Sequence, residues 1–265
     1  MKTETGPAER IEELRRLIRR YDHAYYVLDQ PEVSDPEYDA AFLELRQLEA
    51  EHPELAGADS PTQRVAGEVG EQFSKVRHRS PMLSLQNAFD EQEIRAWDRR
   101  VRAQVGDDVE YVVELKIDGL AISIAYVNGQ FARAATRGDG LVGEDVSANV
   151  RTIRSVPLAV EVPEGMPSEF EVRGEVYMPL KSFEKVNEEM EAAGKPRFAN
   201  PRNSAAGSVR QLNPQVTASR NLQTFMYSLD PAGAARSQSD VLDTLATMGF
   251  RVNPNRQRFR NSSPQ

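Results

Sequence analysis

The 265-residue sequence contains no cysteine at all. Disulfides, thiol nucleophiles and cysteine-built zinc sites are thereby excluded for it, and three scattered histidines leave little with which to hold a transition metal. Long apolar runs are missing too. No stretch approaches the roughly 18 consecutive apolar residues of a membrane-spanning helix, and the opening Met-Lys-Thr-Glu-Thr-Gly-Pro is no apolar signal segment, so a cytoplasmic protein without a membrane partner is expected. Positive charge is in deficit, with 33 Lys plus Arg against 41 Asp plus Glu and a formal net charge of −8, which argues against a simple basic coat for nucleic acid. What remains, 39% hydrophobic and 28% charged residues, is enough for one large or two modest folded domains. Covalent chemistry is left to Lys, Ser, Thr or a carboxylate.

The first fifty residues read as two helices. Ile11, Leu14, Leu17, Ile18, Tyr21 and Tyr25 recur at the spacing of one helical face, as do Tyr38, Phe42, Leu45 and Leu48 in the second helix. Asp35 is read as the cap of that second helix, with Pro36 in its first turn, Glu37 at its positive end and His52-Pro53 as its stop. Turn formers between Ala56 and Pro61 suggest a link, and a domain boundary is placed near residue 68, giving units of residues 1–68 and 69–265. From Tyr111 the period changes to two: Val113, Leu115 and Ile117 alternate with Glu114, Lys116 and Asp118, and the strand is expected to run on through Val127. Asn128-Gly129 then predicts a hairpin returning to Thr136, and Phe170–Tyr177 predicts another strand with Glu171, Arg173 and Glu175 on one face. With helices expected over 182–193 and 241–248, the fold class is α+β, a small N-terminal helical domain followed by an antiparallel sheet with packed helices.

Lys116, between two carboxylates on one strand face and followed by Gly119, is a candidate nucleophile. An amine attacks only after losing its proton, whereas neighbouring carboxylates hold the proton on, so a bound cation opposite Glu114 and Asp118 is expected. From spacing alone, a charge-paired exposed strand is the favoured reading. On the second helix, Asp35, Tyr38 and Asp39 stand at i, i+3 and i+4. Acid and aromatic on one face suit a flat cationic ring, with Tyr25 and Tyr26 completing the pocket; plain capping and packing is the alternative.

Glu114-Leu115-Lys116-Ile117-Asp118-Gly119, Arg137-Gly138-Asp139-Gly140 and Arg173-Gly174-Glu175 occur in an order that resembles the signature of NAD-dependent bacterial DNA ligases. The resemblance extends through Asp35-Pro36-Glu37-Tyr38-Asp39, Ser60–Val65, Pro81-Met82-Leu83-Ser84-Leu85, Asn149–Ile153 and Ala199–Asn203. It implies an N-terminal adenylation (nucleotidyltransferase) region in which Lys116 takes AMP from NAD and expels nicotinamide mononucleotide, with Mg2+ as a further cofactor. It further implies that Glu114, Asp118, Arg137, Glu175, Ser84 and Leu85 line the nucleotide site. Tyr25, Tyr26, Asp35, Pro36, Glu37, Tyr38 and Asp39 would receive the nicotinamide half, and Arg202 and Arg210 would face nicked double-stranded DNA. No dedicated metal-ligand set is implied, and a monomer is expected.

Complete enzymes of that family continue through two further lysine-bearing strands, an OB-fold, a four-cysteine zinc module and additional domains. The sheet domain is therefore expected to be incomplete at its C-terminus, and the chain alone is not expected to seal DNA. Two other readings remain: a non-catalytic NAD- or AMP-binding module, and a Rossmann-type oxidoreductase. The second rests on Gly138-x-Gly140-x-x-Gly143, which fits the dinucleotide fingerprint but follows the return arm of a hairpin instead of a buried parallel strand. His78, within Arg77-His78-Arg79, is read as part of a phosphate-facing patch, and the arginines at 251, 256, 258 and 260 as a frayed polar end.

Overall fold

The computed structural model describes residues 6–28, 30, 32–57, 59–65, 72–84, 86–233 and 235–260. The expected domain boundary near residue 68 lies outside the described residues, as does Leu85.

Helix α1 (Pro7–Asp22) and helix α2 (Asp35–Glu51) pair through Ile11, Leu14, Ile18 and Leu45, all essentially inaccessible to solvent. Expectation and structure differ at two points. A π-helical turn, His23–Val27, follows α1; its extra residue per turn rotates the chain, so that Ala24 points inward and Tyr25 is left 51% exposed. The cap of α2 is Ser34, not Asp35, because Glu37 turns back to accept hydrogen bonds from the Ser34 N–H (2.9 Å) and hydroxyl (2.7 Å). The buried Arg15–Glu49 pair (2.6 Å) ties the two helices together.

The remainder is built on a four-stranded antiparallel sheet of order β4-β3-β6-β7, formed by β3 (Leu120–Val127), β4 (Gln130–Thr136), β6 (Glu169–Tyr177) and β7 (Gln223–Asp230). The Asn128-Gly129 hairpin is present, and positive φ at both residues (50° and 75°) gives the turn twist that antiparallel strands require. Ile122, Ile124 and Tyr126 of β3 and Phe170, Val172 and Val176 of β6 face one way, against α4 (Ser147–Arg151), α5 (Leu180–Ala192), α6 (Pro201–Val209) and α7 (Gln238–Thr247). Tyr126 is the centre of this core: its ring stacks on Phe170 (5.4 Å), meets Phe250 edge-on (5.5 Å), and its hydroxyl donates to the Pro157 carbonyl (2.6 Å). The other face of the sheet carries Ser123, Glu171, Arg173 and Glu175. Their alternation with apolar neighbours is what makes it polar.

Two small ribbons flank the sheet. Strand β1 (Lys75–Arg77) pairs with β5 (Val142–Glu144). Strand β2 (Glu110–Glu114), beside helix α3 (Glu91–Val105), pairs with β8 (Arg256–Arg260). The latter pairing corrects two expectations. The arginine-rich end forms a strand, because Arg256 lies opposite Glu114 and Arg258 and Arg260 reach Glu110 and Asp108, so charge complementarity does the work that apolar alternation usually does. Strand β2 also stops at Glu114 and β3 begins only at Leu120, in a different sheet. Val113 and Leu115 consequently face solvent, more than half exposed. All described strand pairs are antiparallel, so no Rossmann sheet exists among the described residues. The Gly138–Gly140 turn serves a tight β4–β5 connection instead: a Cβ on Gly138 would lie 1.9 Å from the Val142 carbonyl oxygen, and the Asp139 carboxylate accepts from the Leu141 and Val142 N–H groups (2.8 Å each).

Candidate active site

Lys116 sits in the break between β2 and β3, exposed to solvent. Both ends of that loop are pinned. The Leu115 carbonyl accepts from Asn253 Nδ2 (2.9 Å), and Gly119 lies so close to β6 that a Cβ would stand 2.1 Å from the Val176 carbonyl oxygen. Only glycine permits this approach, which brings the lysine loop over the polar face of the sheet.

Around the loop, Glu175 is pushed up from its ordinary value by burial, against the opposing pull of Lys116, Arg202 and the Gly119 N–H. Glu114 is likewise raised by burial, with Arg256 opposing. Asp118 pairs with Arg202 of α6 (3.1 Å), so the DNA-side arginine of the expectation is found at the edge of the lysine site. Arg210, at the end of α6, pairs with Glu144 (2.7 Å) and holds that carboxyl below its usual range. Arg137 leaves β4 and donates to Ser84 Oγ (2.5 Å), and together with Pro81, Met82 and the Gly138–Leu141 turn it lines a cleft. Met82 is buried, whereas Leu83 is 82% exposed and belongs to no core.

Sequence reasoning missed Tyr227 and the contacts that Arg173 and His78 make here. Tyr227 stands at a bulge in β7, where Arg173 pairs with Ser228 but Gly174 with Met226, so the bulge turns the ring out of the strand's regular alternation. Burial beside Glu175 pushes its hydroxyl up to about 12, with Arg173 and Arg137 pulling the other way. Arg173 holds the wall of the cleft in place, donating to the Ser80 carbonyl (2.7 Å), the Ser80 hydroxyl (2.6 Å) and the Pro81 carbonyl (3.1 Å). His78 is buried and not phosphate-facing; its Nε2 lies 3.1 Å from the Arg137 carbonyl oxygen, a shape-determined contact that its flanking arginines concealed.

On the helical unit, the Tyr38 hydroxyl donates to buried Asp22 (3.0 Å), and Tyr25 and Tyr26 form a tilted pair with centroids 4.7 Å apart. Burial raises Asp22, Tyr26 and Tyr38 alike. Pro36, Glu37 and Asp39 are exposed on the first turns of α2, and Asp35 is its first residue. The unit is anchored by Arg64, which donates to the carbonyls of Arg151, Ile153 and Val156 (3.3, 3.2 and 3.0 Å) and lies 3.7 Å from Asp22. Arg251 adds a bond to the Tyr26 carbonyl (2.8 Å). Segment 251–253 thus touches both the tyrosine pair, through Arg251, and the lysine loop, through Asn253. The helical unit and Lys116 flank one short stretch of chain.

The site thus sets a lysine among carboxylates and arginines over the polar face of an antiparallel sheet, with an acid–aromatic helical unit beside it. Residues 70–264 match the family model described as the NAD-dependent DNA ligase adenylation domain, and residues 4–66 match that of the DNA ligase-like, N-terminal NAD+-binding domain. The chain belongs to the NAD-dependent DNA ligase adenylation domain family. It is 52% identical over 256 residues to a DNA ligase of Carboxydothermus hydrogenoformans, covering 96% of this chain and 38% of that protein. It is 55% identical over 260 residues to one of Alkalilimnicola ehrlichii (97% and 38%) and 53% identical over 253 residues to one of Bacillus subtilis (94% and 37%). The chain therefore spans well under half the length of these curated relatives. Among the described residues, no helix is long and apolar enough to cross a membrane.

Proposed function

We propose that Lys116 accepts AMP from NAD, the first step of nick sealing by an NAD-dependent DNA ligase. The observation that carries this reading is the strand break at residues 115–119, which lifts one solvent-facing lysine over a face furnished with Glu175, Asp118, Arg202 and Arg137. Deprotonated, Lys116 Nζ attacks the α-phosphorus; an N–P bond forms as the P–O bond to nicotinamide mononucleotide breaks, and the leaving group departs with that oxygen and its electron pair. Arginine cannot substitute, since its guanidinium stays protonated. Arg202 pairs with Asp118 at the edge of the lysine loop (3.1 Å), which sets a guanidinium where a phosphate would lie. Glu114, Asp118, Arg137, Ser84 and Glu175 bind the adenosine end, a role the family resemblance also gives to Leu85, and the partly exposed Tyr227 ring offers a face for the base.

Residues 1–68 form the nicotinamide-binding domain and residues 69–265 the adenylation domain in this reading. Tyr25, Tyr26, Asp35, Pro36, Glu37, Tyr38 and Asp39 receive the positively charged nicotinamide half. Arg202 and Arg210 take phosphates of nicked DNA, the partner of the whole ligase, which acts as a monomer in the cytoplasm. Among the described residues, no group of three His, Asp or Glu side chains converges. Glu175 would be the carboxylate that holds Mg2+ beside the NAD phosphates, and the chemistry the ion would supply there is neutralisation of phosphate charge. Intact mass after prolonged incubation with NAD and magnesium tests the function. A gain of one AMP with release of nicotinamide mononucleotide is expected. Bound NAD with no mass change would indicate a non-catalytic binding module.

A further inference from the structure

The aromatic box of the helical unit already holds a cation. Arg154, in the turn after α4, carries its guanidinium 5.4 Å from the Tyr26 ring centroid and 5.6 Å from that of Tyr38, and its Nη1 donates to the Tyr38 hydroxyl (3.1 Å). Tyr38 is also stacked against Phe42 (6.2 Å, 16° between planes), and Tyr26 is packed against Tyr25. The tyrosine faces that a flat cationic ring would use are therefore engaged, and Asp22, the buried carboxylate behind them, faces Arg154 and Arg64.

We infer that Arg154 is an internal competitor for nicotinamide, occupying the Tyr26–Tyr38 box in the unliganded protein and yielding it when the dinucleotide binds. The inference rests on the proposed role of these tyrosines. A guanidinium and an N-substituted nicotinamide ring are both planar, singly positive and weakly hydrated, so each is drawn to the same ring quadrupoles and the same buried carboxylate. Because Arg154 is tethered, its local concentration is high and fixed by the fold, so it reduces the apparent affinity of the box for any free cation. The consequence for the reaction is directional. Once the P–O bond has broken, nicotinamide mononucleotide is no longer linked to the adenylate, and Arg154 reclaims the box and favours its departure. Arg64 and Arg251 do not depend on Arg154 for their bonds to the carbonyls of residues 151, 153, 156 and 26, so its removal leaves the helical unit anchored.

Nicotinamide mononucleotide and, separately, AMP are titrated calorimetrically into the full chain and into the variants Arg154→Met, Arg154→Lys and Tyr38→Phe. Arg154→Met is expected to bind nicotinamide mononucleotide roughly three- to tenfold more tightly, the worth of one exposed to part-buried cation–π contact, with AMP affinity unchanged. Arg154→Lys, which keeps the charge without the flat fork, is expected between the two. Equal or weaker binding by Arg154→Met overturns the competition. Tyr38→Phe keeps the ring but frees Arg154 from its hydroxyl, and is expected to shift nicotinamide mononucleotide affinity in the same direction as Arg154→Met by a smaller factor. A Tyr26→Ala, Tyr38→Ala double variant that is folded by circular dichroism and binds as the parent does would instead overturn the assignment of the box. Loss of binding in that double variant, with no tightening in Arg154→Met, leaves the assignment standing and removes the competition.

Discussion

Replacing Arg173 by methionine probes the polar face of the sheet most severely. The side chain is 13% exposed, and its partner Glu171 is 7% exposed at 3.3 Å. Removing the guanidinium deletes three bonds to the Ser80–Pro81 segment and leaves the Glu171 carboxylate with the Ser123 hydroxyl (3.0 Å) as its remaining side-chain partner. Stranding a buried charge in this way costs about 3–5 kcal/mol. Among the described residues, Arg173 Nε has no partner of its own, which argues for the lower end of that range. Arg173→Lys keeps the charge but not the fork, so a loss of roughly 1.5–3 kcal/mol is expected. Adding Glu171→Gln to Arg173→Met removes the stranded charge and should recover about 1–3 kcal/mol, the coupling typical of contacting groups. Urea unfolding at pH 7, followed by circular dichroism on all four members of the cycle, measures these quantities. A cost below about 1 kcal/mol for Arg173→Met, or a coupling of zero, would refute the claim that this network holds the cleft wall.

Gly119→Ala places a methyl group against the Val176 carbonyl, and the forced backbone shift should cost roughly 1–3 kcal/mol while displacing Lys116; unfolding and AMP transfer measured on the same variant check both effects. Burial raises Glu175 above its ordinary value of 4.5, so its contribution to stability is present below that pH and is lost as the pH rises through the raised folded value. Urea midpoints taken from pH 4 to 8 should therefore fall less with rising pH in Glu175→Gln than in the parent; parallel profiles would contradict the shift. Arg256→Glu sets a carboxylate directly opposite Glu114, at a cost of roughly 0.2–1 kcal/mol, and should speed amide exchange in residues 110–114 and 256–260 while leaving β3 and β6 protected.

The two helices, the Asn-Gly hairpin and β6 were legible because each obeys a single local period or turn rule. The π-helical turn at His23–Val27 was not, since one extra residue breaks the 3.6 period without changing composition; that is why Tyr25 was expected on the buried face. Alternation through Val113–Ile117 suggested one long strand, but alternation reports only local pairing potential, and the chain changes sheets at Lys116. The β8 strand was invisible for the opposite reason: its alternate residues are arginine, and its complement, Glu110 and Glu114, lies more than a hundred residues away. In the site, alternation put Glu175 on a polar face, but Glu114 ends β2 opposite Arg256, and Lys116 and Asp118 lie in the break that follows and not on one strand face with it. Tyr227, Arg154 and Arg173 required tertiary contacts, because a bulge, a turn after a five-residue helix and a loop over the sheet set their positions.

If Lys116 alone takes the adenylate, the position of the label on the chain reveals it. The chain is incubated with magnesium and NAD carrying a radioactive adenylate phosphate, trapped, digested and mapped by mass spectrometry, with Lys116→Arg in parallel. A single phosphoamide-linked AMP on Lys116 is expected, with no label in Lys116→Arg. Label on Lys181, Lys185 or Lys195, or label that survives in Lys116→Arg, would contradict it.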